Sequence, residues 1–366
     1  MAPLRQSILV ITLRYFGDVL LTTPLIRSLR RGFEGAAIDV LLSAGTEGIL
    51  EGNPDVRAVL TIAESPGVSG HLELVRRLWR RYDLAVIAET GDRPHLYGWI
   101  AASQRAGLLP PEPGKRWWKE PLLRHRVAFA ANEPRVDGYR RLAEAMALPF
   151  AAQLVAPTSG TPVSEWRARL GFDPAREPYA VLHLAPRFRY KRWHRDGWRG
   201  LIAWISARGL RVTITGSDAP GERDYVRQVL AGSEMPIVDL TGRLRFAETA
   251  DLLRGAALYV GPDTATSHLA AACGTPSVVL FGPTDPRLWG PLPAAGLDRP
   301  YEKVAPMQRR ANVLLLQEDS LPCVPCQQEG CERHRESYSA CLDRMSAVRV
   351  IDAAQILTRT APLGRT

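Results

Sequence analysis

The stretch GPDTATSHLAAACGTPSVVLFGPTDP, residues 261–286, contains the elements of a strand–helix–strand unit. An apolar run ends immediately before Gly261, and a segment of small residues with helical spacing follows at 264–273. A second apolar run, 277–281, completes the unit, and a turn-rich loop follows it. Because parallel strands end at the same edge of a sheet, we expect the two loops after these strands to lie side by side.

The first of these loops has the groups needed to bind a phosphate. The first turn of a helix has backbone N–H groups without intrahelical partners and carries partial positive charge. The hydroxyls of Thr264, Thr266 and Ser267 add donors, and His268 lies one turn after Thr264 on the same face. A purely structural role fits the spacing equally well, with Asp263 capping the helix and His268 packed in the core. The pattern alone therefore leaves both interpretations open.

The stretch resembles the signature of glycosyltransferase family 9, the ADP-heptose:lipopolysaccharide heptosyltransferases. That signature runs Asp-Ser/Thr-Gly-x-x-His-Leu-Ala-Ala-Ala, then Gly-x-Pro, then Phe-Gly-Pro-Thr-Asp-Pro, and nearly every element is present from Asp263 onward. One position departs from it, because Ala265 stands where the family has Gly. An added methyl group hinders close approach of the backbone to a diphosphate, so the identity of the donor stays open.

The resemblance implies an α/β protein of the GT-B type, in which two Rossmann-like, doubly wound domains face a central cleft. It assigns the acceptor to the first domain and the sugar nucleotide to the second. The expected domains are 1–165, 166–345, and a C-terminal helix within 346–366 that returns toward the first domain. The segment 149–178 is rich in Pro, Thr, Gly and Ala, and we interpret it as the interdomain linker.

Length, composition and charge agree with this organisation. The chain has 366 residues, enough for two domains, with 46% apolar and 23% charged residues and a net charge of +9. The positive charge is concentrated in residues 115–126, net +4, and 187–199, net +5. Two discrete anion sites explain this distribution better than a nucleic-acid-binding face, and common nucleic-acid-binding motifs are absent. The sequence has neither a signal-peptide pattern nor an apolar run long enough for a membrane span, which predicts a cytoplasmic protein.

The first half begins with an apolar strand, 7–13, that is followed by Gly17 and Asp18. Pro24 lies within the next helical stretch and predicts that the main helix starts there, with Thr23 as its cap. In the heptosyltransferase family a Gly-Asp pair with Pro six residues later contains the proposed general base. The resemblance therefore implies that Asp18 is the base and that Gly17 contacts the acceptor. The alternative is that Asp18 caps a helix.

Strands near 38–42, 58–62 and 84–88 alternate with helices and predict a doubly wound half. Residues 111–129 then interrupt the alternation with prolines, bases and two adjacent tryptophans. This composition suits an anionic glycolipid or the cytoplasmic surface of the inner membrane. We accordingly expect the acceptor to contact Lys115, Arg116 and Lys119. The alternative is a solvated loop with one Trp packed on the sheet.

The second half offers further donor contacts. A basic loop after strand 179–184 contains Lys191, which matches a family Lys that contacts the donor phosphates. An acidic residue in the turn 216–222 can accept hydrogen bonds from the ribose hydroxyls, as in dinucleotide sites. The family places an acidic residue in this loop, and Glu222 is our choice, with Asp218 as the competitor.

The tail contains Cys323, Cys326, Cys331 and Cys341, with the opening C-x2-C spacing of a zinc or iron site but an unusual second half. Members of the family often carry a similar Cys-x-Pro-Cys segment. A structural zinc or iron and free thiols are the two alternatives. The resemblance implies that catalysis requires no cofactor.

The resemblance to the family implies transfer of heptose from ADP-heptose to a lipopolysaccharide core acceptor, with inversion at the anomeric carbon. Asp18 would take the acceptor proton, and Lys191, Thr264 and His268 would hold the leaving diphosphate. The alternatives are a GT-B transferase that uses another sugar nucleotide and a sugar-nucleotide-binding protein without turnover. A nucleotide-sugar epimerase is disfavoured, because the two Asp motifs belong to the transferase pattern.

Overall fold

The computed structural model describes residues 6–130 and 132–360. The chain divides into two compact units, Met1–Pro157 and Thr158–Thr366. Within the described residues, each unit is built on one sheet with helices packed against it. No helix in that part of the chain combines the length and the apolar character needed to cross a bilayer.

The first unit contains a six-stranded parallel sheet in the order β3-β2-β1-β4-β5-β6. Its strands are β1 Ser7–Thr12, β2 Ala37–Ser43, β3 Ala58–Ile62, β4 Tyr82–Ile87, β5 Ala102–Leu109 and β6 His125–Ala128. Its helices are α1 Phe16–Gly32, α2 Val68–Leu78, α3 Asp92–Ala101, α4 Pro113–Arg116 and α5 Arg135–Ala145. The strand order reverses between β1 and β4, and ligands of open α/β sheets bind at the carboxyl ends of strands at such a point.

The second unit contains a seven-stranded sheet in the order β12-β13-β11-β10-β7-β8-β9, parallel except for β12. Its strands are β7 Tyr179–His183, β8 Arg211–Thr215, β9 Ile237–Asp239, β10 Leu258–Pro262, β11 Ser277–Phe281, β12 Met307–Arg310 and β13 Val313–Gln317. Its helices are α6 Val163–Leu170, α7 Arg195–Ala207, α8 Pro220–Leu230, α9 Phe246–Gly255, α10 Ala265–Ala272, α11 Pro286–Trp289, α12 Ala340–Asp343 and α13 Ala347–Thr360. Here the order reverses between β7 and β10.

The central strands are buried on both faces, which explains why they read as continuous apolar runs. In β1, Ile8 to Ile11 are completely buried, and in β11 every residue is buried. The final helix, α13, packs Val350, Ala353 and Leu357 into the core of the second unit beside α7. That this helix also returns toward the first unit stays a prediction.

The structure corrects the predicted start of α1. Instead of a short lead-in followed by a helix from Pro24, one continuous helix runs from Phe16 to Gly32 with Pro24 inside it. A proline lacks the N–H that would bond the carbonyl four residues earlier, here that of Leu20. The Thr23 hydroxyl donates to the Leu20 carbonyl oxygen at 2.7 Å and so replaces the missing donor. Thr23 is therefore not a helix cap, and its hydroxyl makes the hydrogen bond that Pro24 cannot make within the helix.

The interpretation of 149–178 as a linker was also too broad. The backbone N–H groups of Ala151 and Val155 donate to the hydroxyls of Ser28 and Thr23 on α1, at 2.8 and 3.0 Å. These bonds attach the segment to the first unit, which extends to Pro157. Farther on, residues 163–170 form α6 in the second unit, so the division falls eight residues before the expected boundary at 165.

Candidate active site

An ion pair joins the loops that follow β7 and β10, the two strands at the reversal point of the second sheet. Lys191 lies in the loop after β7, and its Nζ donates to Oδ2 of Asp263 at 2.7 Å and to the Asp263 carbonyl oxygen at 3.2 Å. Asp263 directly follows β10 and its side chain is only 7% exposed, whereas that of Lys191 is 19% exposed. An ammonium group has three N–H donors, so one remains for a ligand. The cation is thus fixed at the edge where ligands of this kind of sheet bind.

A third loop is fastened to the same carboxylate. The hydroxyl of Thr284, in the loop after β11, donates to Oδ2 of Asp263 at 2.8 Å. The next residue, Asp285, is completely buried, caps α11 through the Arg287 backbone N–H, and pairs with the Arg287 side chain. The Phe-Gly-Pro-Thr-Asp-Pro part of the sequence pattern therefore has a structural reason. Asp263 acts as a brace between loops and not as the cap of α10.

The N-terminus of α10 lies next to this brace. Thr264 is the N-cap residue, and its side chain makes no capping hydrogen bond, so the first-turn N–H groups are not satisfied by it. Within the turn, Ser267 donates to the Pro262 carbonyl oxygen at 2.5 Å and contacts the Tyr259 hydroxyl at 2.9 Å. A Cβ atom at Gly261 would lie 2.1 Å from that hydroxyl, which explains the glycine. Ser267 is consequently part of the scaffold and does not supply a donor to a ligand.

The other predicted residues of α10 differ in exposure. His268 is buried, at 7% exposure, one turn beyond the partly exposed Thr264. Ala265 is the first residue of the helix and is partly exposed. A helix of eight residues with this polar first turn has the features of a phosphate-binding terminus.

The two candidate ribose-binding residues in the loop after β8 differ in burial. Glu222 is 6% exposed, and its Oε2 accepts a hydrogen bond from the Ser217 backbone N–H at 3.0 Å. Asp218 is exposed. The buried carboxylate is held in one orientation by its own loop, as a group that recognises paired hydroxyls must be. Ribose binding by Glu222, with Asp218 as the competitor, stays a prediction.

In the first unit, Asp18 lies in the first turn of α1, after β1. Its carboxylate pairs with Arg135 Nε at 2.6 Å and with Arg14 Nε at 3.4 Å. The N-cap position belongs to Tyr15, so Asp18 is not the helix cap. The side chains of Asp18 and Arg135 are only 10% and 14% exposed. Gly17 precedes Asp18 within the same turn.

Glu89 forms the other half of this edge and was missed by the sequence analysis. It follows β4, across the strand-order reversal from β1, and its Oε1 accepts a hydrogen bond from the Leu13 backbone N–H. Burial raises the pKa of the Glu89 carboxyl, while Leu13 and the charges of Arg14 and Arg135 act in the opposite direction. Its position directly after a buried strand was an available signal. Arg135 had no comparable local signal, since it reaches Asp18 from a distant part of the chain.

The segment 111–129 divides into buried and exposed parts. Lys119 is 2% exposed, and its Nζ contacts Asp92 Oδ1 at 2.6 Å and the Thr90 carbonyl oxygen at 2.8 Å. Trp117 is 72% exposed, whereas Lys115 and Arg116 pair with Glu112 and Glu120 at 3.5 and 3.3 Å. The buried ammonium of Lys119 therefore already has internal partners. Contact of these three basic residues with an acceptor stays a prediction.

The cysteines do not form a metal site in the described residues. No group of three or more His, Cys, Asp or Glu side chains there is arranged to hold a metal ion. Cys341 is buried and Cys323 is exposed, while the Cys331 sulfur accepts a hydrogen bond from the Ala340 backbone N–H at 3.3 Å. A structural zinc or iron at these cysteines stays unconfirmed.

Comparisons with known proteins identify relatives of this chain. Lipopolysaccharide heptosyltransferase 3 of Escherichia coli is 28% identical over 288 residues, which are 76% of this chain and 83% of that protein. Lipopolysaccharide heptosyltransferase 1 of Pseudomonas aeruginosa is 27% identical over 342 residues, 89% of this chain and 87% of that protein. The solved ADP-heptose lipopolysaccharide heptosyltransferase II of E. coli has a TM-score of 0.73 at 20% identity, covering 97% of this chain and 99% of that one.

A glycosyl transferase of family 9 from Veillonella parvula has a TM-score of 0.77 at 18% identity over 97% of this chain and 98% of that chain. These similarities confirm the predicted GT-B class of two Rossmann-like domains. The family model of glycosyltransferase family 9 (heptosyltransferase) matches residues 74–333, well over half of the sequence. The chain belongs to glycosyltransferase family 9.

Proposed function

We propose that this glycosyltransferase moves heptose from ADP-heptose onto the core of a lipopolysaccharide, with the acceptor bound by the first unit and ADP-heptose by the second. The observation that carries the proposal is the Lys191–Asp263 pair beside the N-terminus of α10, at the reversal point of the second sheet. A fixed cation, a polar helix terminus and the Thr264 hydroxyl suit a diphosphate. The names of the relatives supply the sugar and the acceptor class.

The reaction requires a base and a stabilised leaving group. We assign the base to Asp18, whose carboxylate would accept the proton of the acceptor hydroxyl as its oxygen attacks the anomeric carbon. The bond from that carbon to the diphosphate oxygen breaks on the opposite face, and ADP leaves with the electron pair. Lys191, Thr264 and His268 would stabilise the negative charge on the departing diphosphate. Inversion follows from this single displacement.

The remaining residues supply orientation. Asp263 would hold Lys191 and Thr284 in place, since its Oδ2 accepts hydrogen bonds from both of them. The Glu222 carboxylate, fixed by Ser217, would accept hydrogen bonds from the ribose. On the acceptor side, Gly17 would contact the acceptor beside Asp18, and Lys115 and Arg116 would attract an anionic glycolipid.

The test is a reaction of the purified protein with ADP-heptose and a delipidated lipopolysaccharide core. Release of ADP together with a mass increase of one heptose on the core supports the proposal. Parallel reactions with UDP-glucose and GDP-mannose test the alternative that the enzyme uses another sugar nucleotide. That alternative is open because Ala265 stands where the family has Gly. Binding of ADP-heptose without transfer to any core acceptor would favour the binding protein without turnover.

A further inference from the structure

The helices α2 and α3 carry a concentration of exposed apolar side chains. Of the fourteen large apolar residues exposed in the described part of the chain, five lie on these two helices or at the end of α2. They are Val68, Leu72, Trp79, Leu96 and Trp99. Two helices and one capping residue are a small fraction of the protein, so these side chains form a patch and not a random scatter.

The spacing places the α2 residues on one face. Val68 and Leu72 are four residues apart, and Trp79 follows seven residues later, which brings all three to the same side of a helix. A different face, with Leu74 and Leu78, is buried against the sheet. The exposed apolar stripe is therefore additional to the one that folding requires.

The two helices form one continuous surface. The Tyr97 hydroxyl of α3 hydrogen-bonds to His71 Nδ1 of α2 at 2.9 Å, next to Leu72 and Leu96. At the other end, the Arg80 backbone N–H donates to the Ile100 carbonyl oxygen at 3.0 Å, between Trp79 and Trp99. The two exposed tryptophans lie beside this second connection. We name the surface formed by the five apolar residues the α2–α3 patch.

An excess of positive charge on the α2 segment indicates the kind of partner that binds the patch. Between residues 68 and 81 the chain contains Arg76, Arg77, Arg80 and Arg81 but only one acidic residue, Glu73. All four arginines are exposed. Exposed tryptophan and aliphatic side chains on a segment with this excess of arginine suit a bilayer surface with anionic headgroups, where the rings enter the interface and the guanidinium groups are attracted to phosphates.

We propose that the α2–α3 patch docks the protein on an anionic lipid bilayer. The inference rests on the proposed function, because the acceptor of that reaction is a glycolipid. It assigns membrane contact to α2 and α3 instead of the 111–129 segment, in which Trp117 is the one exposed tryptophan and Lys119 is buried. A bilayer contact at this patch would hold the first unit at the surface that carries the acceptor.

The test is co-sedimentation with vesicles of phosphatidylcholine and phosphatidylglycerol, and with phosphatidylcholine alone. We expect the full-length protein to bind the mixed vesicles, and binding to weaken at high salt. The double variant Leu72→Ser/Trp79→Ser should bind about tenfold more weakly or worse, because it loses much of the apolar area that enters the interface. Trp117→Ser is the matched control and should bind like the wild type.

A second double variant tests the contribution of charge, and turnover on the soluble core shows that the variants are folded. Arg76→Ser/Arg77→Ser should lose the preference for phosphatidylglycerol, and both double variants should keep wild-type turnover on the delipidated core. Equal vesicle binding by the wild type and Leu72→Ser/Trp79→Ser overturns the inference, as does loss of binding only in Trp117→Ser. A dimer that the patch variant abolishes, without vesicle binding, would assign the patch to a second copy and also overturn it. Vesicle binding that depends on the patch, in a protein without turnover on the soluble core, would refute the proposed function alone.

Discussion

Asp18 pairs with two arginines, Arg14 and Arg135. Substitutions can separate its proposed role as a base from a role as an ion-pair partner. In Asp18→Asn the side chain keeps its shape but cannot take a proton from the acceptor. We expect kcat to fall roughly 10²–10⁴-fold, while the affinity for ADP changes little, because the residues assigned to the diphosphate belong to the second unit. Initial rates and ADP calorimetry measure these two effects.

The control for Asp18 is Arg135→Gln, which breaks the 2.6 Å ion pair from the other side. Both variants leave a nearly buried charge without its main partner, so both should lower the melting temperature. If Asp18 were only the partner of Arg135, the two variants would lose similar activity. A much larger loss of turnover in Asp18→Asn at a similar melting temperature supports the base.

We expect Glu89 to make the stability of the protein depend on pH, because its pKa changes on folding. Burial raises the pKa of its carboxyl in the folded protein above the value of roughly 4.3 expected in the unfolded chain. Between these two pKa values the folded state holds more protons, so the contribution of Glu89 to the unfolding free energy falls as pH rises. Glu89→Gln keeps an acceptor for the Leu13 N–H but does not titrate. The unfolding free energy of Glu89→Gln minus that of the wild type should therefore grow from about pH 4 to pH 7.

Urea unfolding across this pH range measures the difference. The Asp83→Asn variant is a suitable comparison, since Ser7 lowers the pKa of the Asp83 carboxyl and its contribution to stability changes only below roughly pH 4, so the difference from the wild type should stay nearly constant over this range. A constant difference between Glu89→Gln and the wild type would show that Glu89 does not titrate differently on folding.

Lys191 has two effects that can be separated. Lys191→Ala should weaken ADP binding by roughly ten- to a hundredfold, because a charge-assisted bond to a phosphate is lost. It also loosens Asp263. The control Thr284→Val removes the other hydrogen bond to Asp263 without removing a cation. Equal loss of ADP affinity in the two variants, measured by calorimetry, would mean that Lys191 acts only through Asp263.

In helix α1, the Thr23 hydroxyl serves two buried backbone groups at once. It donates to the Leu20 carbonyl oxygen and accepts from the Val155 N–H. Thr23→Val keeps the shape of the side chain but leaves both groups without this partner. An unsatisfied buried polar group costs about 1–3 kcal/mol, so we expect a loss of that size or slightly more in the unfolding free energy. Thr23→Ser, which retains the hydroxyl, should stay close to the wild type in the same denaturant titration.

The elements that sequence predicts well are those whose signal is local. Strands 58–62 and 277–281 have the predicted bounds, and the second of them is an apolar run that is buried along its whole length. The start of α1 and the extent of the linker were wrong for a common reason. Thr23 and Ser28 bond to residues more than 120 positions away, and neither contact leaves a mark in the nearby sequence.

The candidate site shows the same limit. Asp18, Lys191 and Asp263 follow strands and match family motifs, so they could be selected from the chain alone. Their partners could not, because Arg135 at the start of α5 and Thr284 in the loop after β11 are brought close only by the fold. Lys119 shows the converse: its charge was visible in the sequence, but its burial against Asp92 was not.

The two units present different chemistry at equivalent places. Each sheet has its functional candidates at the reversal of strand order: Asp18 and Glu89 in the first unit, and Lys191 and Asp263 in the second. The first edge combines two carboxylates with two arginines. In the second, a cation and a helix N-terminus are braced by one carboxylate. This asymmetry suits proton removal at one edge and diphosphate stabilisation at the other.

The asymmetry predicts where ADP protects the protein. Amide hydrogen exchange should slow on ADP binding in the second unit, at the loops 187–195, 216–222, 261–268 and 282–286, because a bound ligand suppresses local opening of the backbone that holds it. Near Asp18 and Glu89 exchange should change less. At a concentration about a hundred times the Kd, ADP should stabilise the folded protein by about 2.7 kcal/mol, and UDP and GDP should do so less. Lys191→Ala, with its ten- to a hundredfold weaker binding, should keep only about 1.4 to 0.4 kcal/mol of this stabilisation at the same ADP concentration. Protection confined to the first unit, or equal stabilisation by all three nucleotides, would contradict the assignment of the donor to the Lys191–Asp263 edge.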